Sequence, residues 1–267
     1  MRLNTFSDRW ITGDAYESYM GRWSRRLAAL FLDWLALPTG LDWLDVGCGT
    51  GALSDAICRR RRPHSLVGCD LSPDFVSFAR NSIPDCPATF IVASADNLPG
   101  EGSGFDVIIS GLALNFLPEP VKALQLMRAR LRPDGTLAAY VWDYAEGMQF
   151  LRIFWDEATA MDPSASQLDE AYRFPLCQPD RLADLFLRAG MEAVATTSLQ
   201  TDTLFRDFED FWSPFRAGSG PAPSYVASLP ANAQGELAQR LKHRLQASSD
   251  WPIHLTATAF AVRGVRH

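Results

Sequence analysis

Three glycines at alternate positions, Gly47, Gly49 and Gly51, follow directly on the hydrophobic run Leu41 to Val46. Glycine at such a turn tolerates positive φ and lets the backbone come close to a ligand. A helix starting there offers free N–H groups to a carboxylate or phosphate. Alone, the turn is also what any tight strand-to-helix junction needs. Asp70 follows a second hydrophobic run, SLVGC, about 20 residues further on, where a carboxylate can take both hydroxyls of a ribose. Asp96, in ASADNLP after a third run, is placed to accept from an exocyclic adenine amine, with Asn97 beside it. Either acid by itself reads more simply as a helix cap or a solvated loop residue. Three consecutive strand ends carrying G-x-G-x-G, Asp and Asp describe a site for an adenosine-bearing ligand. A dinucleotide site fits less well, because G-x-G-x-x-G places its third glycine one residue later and leaves Asp96 without a role.

The elements that must position these residues alternate between strand and helix. Leu41 to Val46, Ser65 to Cys69, Ala88 to Ala93, Phe105 to Ser110 and Gly135 to Trp142 read as buried strands, with helices over 51–61, 73–82 and 120–131 between them. That rhythm predicts a doubly wound α/β fold with a parallel sheet, and ligands in such a sheet sit at the carboxyl ends of the strands. Residues 14–36 read as an amphipathic N-terminal helix. After residue 145 the rhythm changes: helices are expected over 148–161, 179–189, 205–215 and 234–246, strands over 191–203 and 253–262, and a loop at GSGPAP, 218–223. The expectation is a single domain over 1–267, with a core of about 38–145, 176–203 and 251–263 and helical cap segments of about 146–175 and 204–250.

The bulk numbers agree with an ordinary globular domain, 47% hydrophobic and 21% charged. A net charge of −6 argues against nucleic acid or an anionic membrane as the main partner. The N-terminal MRLNTFSDRW lacks the apolar stretch of a secretory signal, and no apolar run reaches the ~18 residues of a membrane span. The cysteines are Cys48, Cys58, Cys69, Cys86 and Cys177, an odd number without a C-x2-C pair, so no metal site and a reduced, cytoplasmic compartment are expected. Cys86, next to Pro87, reads as a buried thiol in a turn.

These residues resemble the class I S-adenosylmethionine-dependent methyltransferases. Asp45 with Gly47, Gly49 and Gly51 matches the family's first motif, and Asp70 in GCDLSPDF its ribose-binding acid, with Leu71 next to it. Asp96, flanked by Ala95 and Asn97, matches the adenine-contacting acid, and FDVIISGLALNFLPEP (105–120), which contains Gly111, the fourth-strand motif. The usual P-G-G turn before the fifth strand appears as Pro133-Asp134-Gly135, remote from the cofactor. YESYMGRWSR (16–25) is similar to an N-terminal helix of a small-molecule, type 11-like branch. From that helix Tyr19 and Arg22 would reach the methionine carboxylate; core packing and a surface ion pair are their respective alternatives. The resemblance covers about residues 14–145. It implies S-adenosylmethionine as cofactor, S-adenosylhomocysteine as product, and a seven-stranded, mostly parallel sheet whose last strand is antiparallel.

Methyl transfer from a sulfonium is an in-line displacement, so the protein must chiefly align the acceptor and exclude water. A base is needed only where the acceptor carries a proton near neutral pKa. Ser110-Gly111-Leu112-Ala113 stands where nucleobase amine methylases carry a proline pair, and no cysteine lies between Cys86 and Cys177 to serve C5-cytosine chemistry. Arg59 to Arg62 ends a helix, where cations complement the dipole. Asn115 and Asp143 are the candidate catalytic residues, Asp143 equally well a helix cap, with Trp142 and Tyr144 as candidate pocket walls. Phe205, Phe208, Phe211, Trp212 and Phe215 form a stripe that is either core or pocket wall, and His254 reads as structural. The expected function is methyl transfer to a small, largely apolar molecule at O, N or C. The alternatives are a non-catalytic S-adenosylmethionine-binding regulatory subunit and a nucleic-acid or protein methyltransferase.

Overall fold

In the computed structural model, which describes residues 20–83, 85–99, 104–216, 220–246 and 252–267, the hydrophobic runs pair as one sheet. Its strands are β1 (Asp42–Val46), β2 (Ser65–Asp70), β3 (Ala88–Val92), β4 (Phe105–Gly111), β5 (Leu131–Trp142), β6 (Glu192–Phe205) and β7 (Ile253–Val265), in the order β3-β2-β1-β4-β5-β7-β6. Neighbours from β3 to β5 are parallel, while β7 runs antiparallel to both β5 and β6. This is the doubly wound, mostly parallel seven-stranded sheet expected. Its central strands are buried on both faces, with Trp43, Leu44, Ile108, Ile109 and Leu137 all at 0% exposure, which is why they read as continuous apolar runs. The chain winds outward from β1 in one direction to β3 and in the other to β4. The crevice between the carboxyl ends of β1 and β4 is therefore where a ligand enters such a sheet.

The helices are α1 (Arg22–Leu35), α2 (Ala52–Arg61), α3 (Pro73–Ser82), α4 (Pro120–Arg130), α5 (Gln149–Met161), α6 (Glu170–Arg173), α7 (Pro179–Arg188), α8 (Phe208–Arg216), α9 (Pro221–Ser228) and α10 (Ala231–Arg244). The first part of the expected N-terminal helix, residues 14–19, lies outside the described residues. Two expectations are corrected. The second half of GSGPAP is not a loop: α9 begins at Pro221, whose fixed φ suits the first helical position, after Gly220 at φ 93°. Phe205 ends β6 rather than starting a helix. Leu199, Thr201, Thr203 and Phe205 are buried while Gln200, Asp202 and Leu204 are exposed, a two-residue period that carries the strand to Phe205.

The cap closes on an aromatic cluster. Phe154 of α5 stacks on Phe215 of α8 at 4.5 Å, and Trp155 meets Tyr225 of α9 at 5.8 Å. Phe211 and Phe215 are at 0% exposure, so the helical part of the aromatic stripe is core rather than pocket wall. At the opposite end of the sheet from the glycine turn, Arg132 bonds both Asp42 (2.8 Å) and Asp106 (2.6 Å). Hydrogen bonds from Ser65 and His64, with Arg132 beside them, hold the Asp42 carboxyl well below the usual range.

Cys58 and Cys86 form a disulfide, with Cα atoms 5.8 Å apart, contrary to the expectation of free thiols in a reduced protein. No spacing rule announces it. The parallel return of β2 and β3 carries the turn before β3 back to the last turns of α2. By the loop-entropy estimate, a bridge across a sequence separation of 28 contributes about 3–4 kcal/mol. Reduction, or Cys58→Ser, is expected to lower the urea midpoint accordingly. A midpoint indifferent to reductant would mean that the bond does not stabilise the protein in solution. Cys48, Cys69 and Cys177 are buried free thiols. Among the described residues no helix is long and apolar enough to cross a membrane.

Candidate functional site

The glycine turn after β1 uses its conformational freedom fully. Gly47 sits at φ 76° and a Cβ there would lie 2.4 Å from Cβ of Ala113, so backbone and β4 loop approach each other closely. Gly47 and Cys48 N–H both donate to the Cys69 carbonyl, at 2.8 and 3.0 Å, which fixes the turn against the end of β2. Gly51, at φ 88°, caps α2. Asp70 gathers the turn and the next helix together: Oδ2 accepts from Gly49 N–H (3.0 Å) and Oδ1 from Ser72 N–H (2.9 Å). Burial raises the Asp70 carboxyl above its ordinary value, opposed by the N–H groups of Ser72, Gly49 and Leu71.

Asp45 lies beneath, 1% exposed, with Ser54 Oγ donating to its Oδ2 at 2.7 Å. Its Oδ1 is buried without a hydrogen-bond partner, a group whose desolvation costs on the order of 1–3 kcal/mol until something satisfies it. Burial raises the Asp45 carboxyl to about 7, against the Ser54 hydrogen bond and with the charge of Asp70 adding to the rise. It borders a narrow recess of about 40 Å³, together with Gly47, Gly49, Thr50, Gly111 and Tyr140. Two acids close together behind a glycine turn make a site that favours a ligand carrying positive charge.

The recess adjoins a cavity of about 500 Å³, within the size range of small-molecule sites. Gly47, Gly49 and Asp70 form one wall, and Leu71, Ser72, Phe75, Ala93 and Ala95 continue it along the ends of β2 and β3. Ser110 to Ala113 form the floor, where Leu112 is held at φ 59° by donating its N–H to the Tyr140 carbonyl at 2.8 Å. Met20, Phe116, Leu117, Trp142 and Tyr144 close the far side. Asp70 is the one charged side chain among the described residues lining this cavity. One end therefore suits a polar, hydroxylated ligand, and the other an apolar or planar one.

The structure thus gathers Asp45, Gly47, Gly49, Asp70, Leu71, Ala95 and Gly111, with Trp142 and Tyr144 facing them. Other expected residues are committed elsewhere. Arg22 bonds Asp210 at 3.3 Å and lies over the rings of Trp23 and Phe205, the ion-pair alternative rather than a ligand contact. Asp96 is paired with Lys122 at 3.3 Å with its side chain 64% exposed, and neither it nor Asn97 lines the cavity. Asp143 accepts from Glu146 N–H at 3.1 Å and so caps a turn. Asn115 sits in the short 3-10 turn Leu114–Phe116, its amide buried without a partner and away from the cavity wall. Tyr19 lies outside the described residues. The arginine run is spent on neighbours, Arg59 on Asp55, Arg60 on Asp33 and Arg61 on the Leu32 carbonyl. Sequence reasoning missed Met20 and Phe116, whose apolar types carry no chemical signal, although Phe116 falls within the fourth-strand motif.

Residues 44–139 match the protein family described as a methyltransferase domain. The biotin biosynthesis bifunctional protein BioCD of Bordetella avium (strain 197N) is 33% identical over 129 residues, 47% of this chain and 27% of that protein. Demethylmenaquinone methyltransferase of Shouchella clausii (strain KSM-K16) is 25% identical over 181 residues, 61% of this chain and 75% of that protein. This chain therefore spans less than a third of the first relative's length. A solved phosphoethanolamine N-methyltransferase 2 of Haemonchus contortus, in complex with phosphomonomethylethanolamine and S-adenosylhomocysteine, has the same fold. It superposes with a TM-score of 0.58 at 18% identity, covering 95% of this chain and 56% of that one. The mostly parallel sheet with its antiparallel β7 is the architecture shared with the solved methyltransferases. Residues 44–139 therefore carry a methyltransferase domain, and the chain is similar to the class I S-adenosylmethionine-dependent methyltransferases.

Proposed function

We propose that this chain transfers the methyl group of S-adenosylmethionine to a small-molecule acceptor held in the apolar half of the cavity. The observation that carries the reading is Asp70, fixed by the Gly49 and Ser72 N–H groups at the cavity's polar end. The residues present fit the cofactor. The Asp70 carboxylate suits the ribose hydroxyls, and the unpartnered Oδ1 of Asp45 beside the recess suits the cationic methionine end. Leu71, Ala93 and Ala95 offer an apolar wall for the adenine. When bound, the cofactor supplies an electrophilic sulfonium methyl group. The chain's own contribution is to fix the two ligands relative to each other and keep water out, which Met20, Phe116, Trp142 and Tyr144 are placed to do. Their apolar character supports a small organic acceptor. The ion pairs of the Arg59 to Arg62 run count against nucleic acid.

Calorimetry with S-adenosylhomocysteine tests the reading, and absence of binding would overturn it. Asp70→Ala is expected to weaken that binding by about 1.5–3 kcal/mol, roughly 10- to 150-fold, the scale of hydrogen bonds to a charged group. Unchanged affinity would remove Asp70 from the ribose. Asp96→Ala, by contrast, is expected to change affinity less than about threefold, because an exposed ion pair is worth about 0–1 kcal/mol. A loss as large as that of Asp70→Ala would mean that Asp96 leaves Lys122 for the adenine amine.

A further inference from the structure

The cavity shares part of its aromatic side with a smaller void. Met20, Phe116 and Tyr144 also border this void of about 10 Å³, whose other walls include Leu151, Phe174 and Glu170. Space on that scale takes about one water molecule, and equally one hydroxyl or amine group. Its surroundings are otherwise apolar, with three aromatic rings in contact: Phe174 meets Phe116 edge-on at 4.9 Å and Tyr144 at 5.6 Å.

Glu170 is the exception. It belongs to α6 and is 4% exposed, although glutamate is almost never fully buried unless it has a partner. Its Oε2 accepts from Trp155 Nε1–H. The charged groups around it are Asp169 on its own helix and Arg152 on α5, and those two are bonded to each other. The α5–α6 contact is therefore already secured by the Arg152–Asp169 pair, and α6 by the Asp169 carboxylate, which caps the Ala171 N–H at 2.9 Å. Burial raises the Glu170 carboxyl to about 7, against hydrogen bonds from its own backbone and from Trp155. One carboxyl oxygen thus serves the buried Trp155 indole, while the carboxyl also borders the void, within reach of a ligand with a polar edge.

We propose that Glu170 is the acceptor-recognition residue of this site: its carboxyl receives a hydroxyl or amine at the far edge of a planar acceptor lying between Phe116 and Tyr144. The substrate class that follows is an aromatic or quinol-like molecule with an O–H or N–H donor. Here "acceptor" rests on the methyl-transfer reading; the binding geometry does not.

The test compares 2-naphthol with naphthalene as probes, titrated by fluorescence into full-length protein saturated with S-adenosylhomocysteine. The wild type is expected to bind 2-naphthol at least about tenfold more tightly than naphthalene, the step of one hydrogen bond to a charged group. Glu170→Ala is expected to bring that ratio near one, and Glu170→Gln to an intermediate value, both with unchanged affinity for naphthalene and S-adenosylhomocysteine. Glu170→Gln keeps an oxygen for Trp155 and decides the matter if Glu170→Ala fails to fold. A purely structural Glu170 would leave the ratio unmoved. A wild-type ratio near one, or a ratio unchanged in the folded variants, overturns the proposal. Failure of S-adenosylhomocysteine to bind the wild type would instead overturn the methyl-transfer reading.

Discussion

Gly47→Ala is expected to weaken S-adenosylhomocysteine binding at least about 100-fold, near 2.7 kcal/mol, and to lower the melting temperature as well. Two separate costs meet at this residue. An L-residue in the left-handed region at φ 76° costs roughly 1–2 kcal/mol. The new methyl would also fall 2.4 Å from Cβ of Ala113, an overlap that adds about 1–3 kcal/mol and is relieved only by moving backbone. The part that moves is the part that binds. Displacing Gly47 from the Cys69 carbonyl drags Gly49 N–H away from Asp70, and with it the wall that the two form together. Gly40→Ala is the control. Gly40 has φ 78° and nothing within 4 Å of an added Cβ, and it precedes β1 at the other end of the sheet. It should lose about 1–2 kcal/mol of stability and keep its affinity. Calorimetry on both variants separates strain from site geometry, and near-normal binding by Gly47→Ala would show that the turn does not hold the cofactor.

How much of this was legible beforehand follows from which signals are local. The buried strands announced themselves because a strand covered on both faces is a continuous apolar run, and because Gly47 and Asp70 punctuate the ends of β1 and β2. Strand-end position is therefore readable, and Asp45, Asp70 and Gly111 do lie beside the cavity and its recess. Side-chain direction is not readable in the same way. Asp96 stands at the expected strand end, yet its carboxylate turns to Lys122 on α4, a partner that no spacing within ASADNLP reveals. The same holds for Asp143, whose Oδ1 accepts from Glu146 N–H three residues on. Long-range pairings were the least visible. Cys58–Cys86 and Arg22–Asp210 join segments that approach only once the sheet has wound up. Glu170 was hidden for a different reason: it lies in the polar stretch PSASQLDEAY, where nothing marks one acid as buried. A buried acid has no periodic signature, and only the folded cap shows that it faces a void.

Phe215→Ala is expected to cost about 3–5 kcal/mol, the range for emptying a buried aromatic site. Phe215 is at 0% exposure, lies parallel to Phe154 at 4.5 Å and 6°, and touches Phe150 and Phe211 at 6.0 and 5.5 Å. The rings around it, on α5 and on its own helix α8, are themselves packed in the cluster, so the cavity has little room to collapse. The form of the loss matters as much as its size. The cluster does not stop at the cap: Phe150 reaches Trp23 of α1 at 4.9 Å, and Trp23 in turn meets Phe205 at the end of β6 at 5.2 Å. Phe205 pairs in register with Ile253 of β7, so the sheet itself runs into the cap. Damage at Phe215 should therefore reach the sheet, and calorimetric unfolding should remain a single transition. At roughly 2–4 °C per kcal/mol for a domain of this size, that transition should shift downward by on the order of 10 °C. A new early transition ahead of an unmoved main one would show that the cap unfolds by itself. A single shifted transition would make the cap part of the same cooperative unit as the sheet that carries the glycine turn.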